Sequence, residues 1–180
     1  MRSSSKKMKP TRVKARDSLG GILSPDLSYR GECITAVSVS DKKGERKHNV
    51  ESISLRKDFG ITGDAHAGSG HRQVSFLAEE SIKKMQLKGL DVRPGDFAEN
   101  ITTKGVDLLK LKIGERFKSG NGVIFEVSQI GKVCHTRCSI YYQAGDCVMP
   151  REGIFARVLK GGVIKPGDRL EVIKDAKRTK

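Results

Sequence analysis

The sequence predicts a mainly β domain, a closed or nearly closed barrel with short helices. Three observations predict it. Twenty glycines and no tryptophan occur in 180 residues. Short runs rich in β-branched residues alternate with glycine turns, and only one segment has good helical periodicity. Many short strands separated by turns, with about one helix, suit a sheet that curls on itself rather than a bundle. The chain is long enough for one domain with a real core. No apolar run approaches the ~20 residues that a membrane span needs.

Residues 1–30 read as a flexible basic tail, with Gly20, Gly21 and Pro25 interrupting regular structure. The tail weakly resembles a transit peptide but reads better as a linker or expression remnant. It lacks the apolar core of a secretory signal, so a cytoplasmic setting is expected. Residues 31–174 form the predicted barrel domain. Its first strand runs through Ile34, Ala36 or Val37, and Val39 and ends at the turn Asp41-Lys42-Lys43-Gly44. A second run, Val50 to Leu55, alternates Ile53 and Leu55 with polar neighbours and is expected to pair with the first. A glycine-rich loop follows from Asp58 to Arg72, then a buried strand from Val74 to Leu77.

Ala78 to Lys88 reads as the helix. Glu79 and Glu80 sit in its first turn, lysines follow, Gly89 ends it, and Leu77, Ile82 and Met85 supply its apolar face. Pro94-Gly95-Asp96-Phe97, Ile113-Gly114-Glu115-Arg116-Phe117 and Pro166-Gly167-Asp168-Arg169-Leu170 each read as a tight glycine turn feeding a strand. Their irregular spacing excludes a repeat protein. Val123 to Val133 is a further β-like run, and residues 175–180 form a basic C-terminal tail.

The net charge of +14 invites a nucleic-acid reading. Residues 1–16 carry seven Lys/Arg and no acid, and the last seven residues carry four against Asp175, which leaves about +4 on the body. Terminal charge runs are usually solvated. No aromatic residue interleaves the N-terminal lysines to stack bases. Nucleic-acid binding is therefore not expected.

Chemistry concentrates between Gly131 and Gly153, where Cys134, Cys138 and Cys147 are interleaved with His135, Arg137 and Arg151. A thiol can be a nucleophile, a sulfur carrier or a soft-metal ligand, and neighbouring cations favour the thiolate. The equally ordinary reading of each is a buried, inert cysteine. The pattern is not that of a secreted disulfide scaffold. Cys134-x3-Cys138 fits zinc loosely, but no second close cysteine pair exists, and His66 and His71 are poorly spaced to replace one. Zinc is a minority reading. Cys134 is expected to pack, Cys147 to face the same pocket as an assistant, Cys33 to be structural and His48 to be solvent-exposed.

On the glycine loop, His66 is a candidate to orient a substrate or move a proton, and Asp64 to brace the loop or contact the ligand. His71 and Arg72 belong to the same rim. Asn100, after a turn, is placed either to donate its amide to a ligand or to brace the loops.

The segments Gly60-Ile61-Thr62-Gly63-Asp64-Ala65-His66-Ala67-Gly68, Pro94 to Ile101, and Cys134 through Gly145-Asp146-Cys147-Val148-Met149-Pro150-Arg151-Glu152-Gly153 occur in this order. With them, the chain from about Glu32 to Ile173 resembles a MOSC domain of the small stand-alone type. The family is named after the C-terminal domain of molybdenum-cofactor sulfurases. The resemblance implies a β-barrel and a cysteine that carries sulfur as a persulfide or ligates molybdenum. By motif that cysteine is Cys138. Adjacent Arg137 would favour its thiolate, and His135 would serve as base or hydrogen-bond partner. The implied cofactor is the molybdenum cofactor (molybdopterin). Arg151 either suits an anionic ligand such as its phosphate or is plainly exposed on the surface. The implied partners are a pyridoxal-phosphate cysteine desulfurase or molybdenum-cofactor biosynthesis proteins. Two alternatives remain. One is a molybdenum-cofactor-dependent reductase component that detoxifies N-hydroxylated compounds, which would need an electron-transfer partner because no iron–sulfur or flavin motif is present. The other is a non-catalytic binding module recruited through the basic tail.

Overall fold

A computed structural model describes residues 31–132, 134 and 137–173. Both expected tails and the candidate His135 lie outside the described residues. The strands are β1 (Cys33–Val39), β2 (His48–Val50), β3 (Ile53–Arg56), β4 (Gly60–Ile61), β5 (Val74–Ala78), β6 (Ile101–Lys104), β7 (Arg116–Ser119), β8 (Ile124–Ile130), β9 (Ile154–Lys160), β10 (Gly162–Ile164) and β11 (Leu170–Ile173). Three α-helices accompany them: α1 (Glu79–Leu87), α2 (Ser139–Ala144) and α3 (Met149–Glu152). Eight strands form one sheet in the order β11-β7-β8-β9-β5-β6-β1-β2, and β10-β3-β4 form a second. Neighbours are antiparallel except β5 and β6, whose connection carries α1, as a parallel pair requires a crossover.

The fold is mainly β, as expected. The large sheet is not closed into a barrel by a continuous ladder. Its curl nonetheless brings the entry to β11 against β1, through a bridge between Cys33 and Arg169. The Ile34 N–H donates to the Asp168 carbonyl at 2.9 Å, and the Gly167 N–H to the Ile34 carbonyl at 2.8 Å.

The interior is built from alternating apolar residues of these strands. Phe76, Phe117 and Phe125 are fully buried, with ring centroids 5.1 to 5.2 Å apart in edge-on and stacked pairs. Burying each such ring contributes on the order of 2–3 kcal/mol, and the ring pairing about 1 kcal/mol more. The run Val50–Leu55 is not one strand. β2 pairs with β1, Val50 opposite Val37, but the chain turns at exposed Glu51 and Ser52. β3 then joins the second sheet, Leu55 facing Ile61 and Gly162. The physical reason is burial: from there Ile53 and Leu55 reach the main core, at 4% and 3% exposure.

The three glycine turns are one device used three times. Gly95, Gly114 and Gly167 have φ of 96°, 86° and 93°, conformations that favour glycine. In each, the following acid accepts from the backbone N–H three residues back: Asp96 from Arg93 at 2.8 Å, Glu115 from Lys112 at 3.0 Å, Asp168 from Lys165 at 2.9 Å. Helix α1 also forms where expected, with Gly89 at φ 88° beyond its end. Its Ile82 and Met85 join Leu77, Phe97, Ile140, Met149 and Phe155 in a second apolar cluster. That cluster anchors α2 and α3, and with them the cysteine segment, against the sheet.

Candidate functional site

A cleft of about 780 Å³ opens where the glycine loop after β4, the turn before β6 and the segment before α2 meet. Its walls include His66, Arg72, Asn100, Cys134, Cys138 and Cys147. Distant parts of the sequence thus converge on one concavity, of a size typical for small-molecule sites.

The floor is made of buried polar groups that bond one another. Asp64 is set by the loop, where its N–H donates to the Ile61 carbonyl at 3.2 Å and the Ala65 N–H donates to the Ser40 carbonyl at 2.9 Å. Its side chain is 2% exposed and lies behind the cleft wall. Oδ2 accepts from the Ser40 N–H at 3.0 Å and from Lys47 Nζ at 2.5 Å, and Oδ1 from the His66 N–H at 2.9 Å. Burial disfavours the Asp64 charge, but the contacts with His66 and Lys47 outweigh it and hold the carboxyl well below the usual carboxylate range. Lys47 also donates to Ser40 Oγ at 3.1 Å and lies 3.3 Å from His66 Nδ1. The sequence reading missed Lys47. It sits among the charges of the β1–β2 turn, with no local sign that its side chain points inward. Gly95 explains part of its placement: the Lys47 N–H donates to the Gly95 carbonyl at 2.9 Å, and a Cβ on Gly95 would collide with the Lys47 carbonyl.

Asn100 is 1% exposed and laces three segments together. Its Oδ1 accepts from the Ser75 N–H at 3.2 Å and from Ser75 Oγ at 3.0 Å, and its Nδ2 donates to the Ser38 carbonyl at 3.1 Å. Beside it, Glu99 is fully buried and accepts from neutral donors, among them the N–H groups of Gly95 (2.7 Å) and Phe97 (3.2 Å) and Thr102 Oγ1 (3.0 Å). Burial pushes the Glu99 carboxyl up, against those hydrogen bonds.

The rim is different. Cys138 is exposed and stands at the residue before α2, with no capping bond from its side chain. Cys134 is exposed as well, while Cys147 is 9% exposed and burial raises its pKa, with Cys138 and Cys134 adding to the rise. Cys134 therefore departs from the core position expected of it, whereas Cys147 is buried and yet on the cleft wall, where it was expected. β8 ends at Ile130, and Gly131, at φ 68°, turns the chain tightly against the Pro150 carbonyl. Cys134 thereby lies past the strand, outside the core that was to hold it. Cys147 packs in the α1–α2–α3 cluster and still reaches the cleft wall. Cys33 is buried and His48 exposed, as expected.

Arg72 and Lys132 line the cleft, and among the described residues their side chains have no hydrogen-bond or ion-pair partner. His71 is on the same wall, with Nε2 3.0 Å from Gln129 Oε1. Besides Asp64, which lies behind it, two further expected contributors are not on the wall. Exposed Arg137 stacks its guanidinium 4.2 Å from the Tyr141 ring. Arg151 pairs with both oxygens of Asp146 at 2.7 Å, and Lys88 pairs with the same carboxylate at 2.7 Å. Lys88 and Arg151 together hold Asp146 well below the usual carboxylate range. Among the described residues, no three His, Cys, Asp or Glu side chains converge as a metal site. No helix among them is long and apolar enough to cross a membrane.

The family described as the MOSC domain matches residues 63–171, a span that holds the His66 loop, the turn before β6 and the cysteine segment. No curated protein matches the sequence. Among solved structures, the chain is similar to the YuaD protein of Bacillus subtilis, with 20% identity and a TM-score of 0.67 over 78% of this chain and 95% of that one. It is also similar to YiiM from Escherichia coli (18%, TM-score 0.57, over 80% of this chain and 71% of that one). YiiM from Geobacillus stearothermophilus gives 18% and 0.59, over 82% and 77%. At these identities the likeness is one of fold.

Proposed function

Because the chain belongs to the MOSC domain family, we propose that its cleft serves molybdenum-cofactor metabolism by carrying sulfur as a persulfide on Cys138. The observation that carries this reading is an exposed thiol on the wall of a large cleft, with two more thiols and the cations Arg72 and Lys132, unpaired among the described residues, on the same wall. In the loading step the Cys138 thiolate attacks the outer sulfur of a donor persulfide, of the kind a pyridoxal-phosphate cysteine desulfurase forms. A sulfur–sulfur bond forms at Cys138, the donor's sulfur–sulfur bond breaks, and the donor cysteine leaves as a thiolate. Cys147, like exposed Cys134 on the same wall, is able to discharge the carrier without an acceptor: its thiolate would attack the inner sulfur, form a disulfide with Cys138 and release hydrosulfide. Burial pushes the Cys147 thiol up, which suppresses the loss through Cys147. The setting in this reading is cytoplasmic, and the partner is the desulfurase or a molybdenum-cofactor biosynthesis protein.

The reading is tested by mass spectrometry after incubation with a desulfurase and cysteine. A gain of one sulfur atom, lost in Cys138→Ala, is expected; no gain at any cysteine overturns it.

The donor set of the cleft supports a second reading, in which the molybdenum cofactor itself is held there. The volume suits a ligand of that size, and a thiol is an appropriate soft ligand for molybdenum. Cys138 would ligate the metal, with Arg72 and Lys132 taking the phosphate; Arg151 is committed to Asp146. Bound there, the cofactor would supply two-electron redox chemistry, as in a reductase of N-hydroxylated compounds. Purification from a molybdenum-replete host, with metal, pterin and cysteine-bound sulfur assayed together, separates the two readings.

A further inference from the structure

We infer that Lys47 is a positioning residue: it fixes the proton of His66 on Nε2, so that His66 serves the cleft as a hydrogen-bond donor to oxyanions. The inference rests on the cleft being the functional site and assigns His66 a role there other than that of a base.

The geometry leads to it in three steps. An ammonium has three donors and no acceptor, and buried donors are almost always bonded. The Lys47 side chain is 1% exposed. Two of its protons go to Asp64 Oδ2 at 2.5 Å and Ser40 Oγ at 3.1 Å. For the third, the acceptor within reach among the described residues is His66 Nδ1 at 3.3 Å.

Nδ1 has one alternative, donation to Asp64 Oδ1, but that oxygen is farther, at 3.5 Å. It already accepts from the His66 backbone N–H at 2.9 Å. Donation there would also leave the third Lys47 proton buried without a partner, at a cost of about 1–3 kcal/mol. The bond from Lys47 therefore decides the tautomer. With Nδ1 accepting, the neutral ring carries its proton on Nε2. His66 lines the cleft with its side chain 31% exposed. A ring so held offers a proton to an anionic oxygen and has no free lone pair with which to take one. Arg72, Lys132 and the His66 Nε2–H then form one anion-binding wall, which suits a phosphate or carboxylate on the ligand.

The test uses the full chain, labelled with 15N, at pH 7. Long-range proton–nitrogen correlation spectra report each histidine's tautomer, and His66→Gln identifies the His66 signals. The expected pattern has Nε2 in the protonated range and Nδ1 in the unprotonated range. In Lys47→Met the proton is expected to move to Nδ1, toward Asp64, and the two nitrogen shifts to exchange ranges. Inorganic phosphate should perturb the His66 Nε2–H signals in the wild type and bind at least tenfold more weakly to the variant. A wild-type His66 protonated on Nδ1, or on both nitrogens, overturns the inference. So does a folded Lys47→Met with the tautomer unchanged, or a His66 that does not respond to phosphate. Should Lys47→Met fail to fold, the wild-type spectrum and its phosphate response still decide. These readouts need no sulfur donor, so their failure is distinguishable from failure of sulfur loading at Cys138.

Discussion

Asn100 on the floor of the cleft and Lys47 and Asp64 just behind it are each under a tenth exposed and bonded to two or more neighbours. Cys138 and Arg72 at the rim are exposed, and the described residues supply their side chains no hydrogen-bond or ion-pair partner. The floor gives the loops their shape, because breaking any of its bonds strands a buried polar group. The rim presents reactive and charged groups whose loss leaves no such gap. Stability and chemistry should therefore separate cleanly between the two.

The largest effect is expected at the rim. Cys138→Ala should abolish sulfur loading, read by mass, while the urea midpoint stays at the wild-type value. A large fall in that midpoint would break the separation. On the floor, Asp64→Asn leaves the Lys47 ammonium buried without its counter-charge. The expected cost is about 3–5 kcal/mol in urea unfolding, and a cost below about 1 kcal/mol would show that the floor does not hold the fold.

Acidity sharpens the same contrast. The folded pKa of Asp64 lies below its unfolded value of about 3.9. Its contribution to stability is therefore fully present at neutral pH and is lost as pH falls below about 4 toward the folded value. Glu99 has the opposite sign: its folded pKa is raised, so stability falls as pH rises from its unfolded value of about 4.3 through the folded one. A series of melting temperatures against pH should show a steep acid limb in the wild type. That limb should be shallower in Asp64→Asn, while the Glu99 slope persists in both. The smallest effect is expected at Arg151. Its pair with Asp146 is exposed and screened, so Arg151→Ala should leave both the melting temperature and sulfur loading within error of wild type.

Local features were legible in advance because their causes are local. The acid-first, lysine-late pattern of α1 and the three Gly–acid turns follow from short-range capping and φ preferences. Cys138 and the His66 loop could be singled out by motif. The departure of β3 to a second sheet could not, since alternation shows that one face is buried but not which sheet buries it. Nor could the exposure of Cys134, which depends on where β8 ends, or the burial of Cys147 at the cleft wall, which depends on the α2–α3 packing.

By itself the sequence determined a β-rich chain with glycine turns at set places, one amphipathic helix and a short segment dense in thiols. Each of these arises from backbone preference or side-chain periodicity within a few residues. Only the tertiary structure decided that Lys47, 17 residues before Asp64, would be buried against it, and which side chains of the glycine loop would reach the wall that carries Cys138. Burial of a charge is set by what the rest of the chain packs around it. No window of the sequence contains that information.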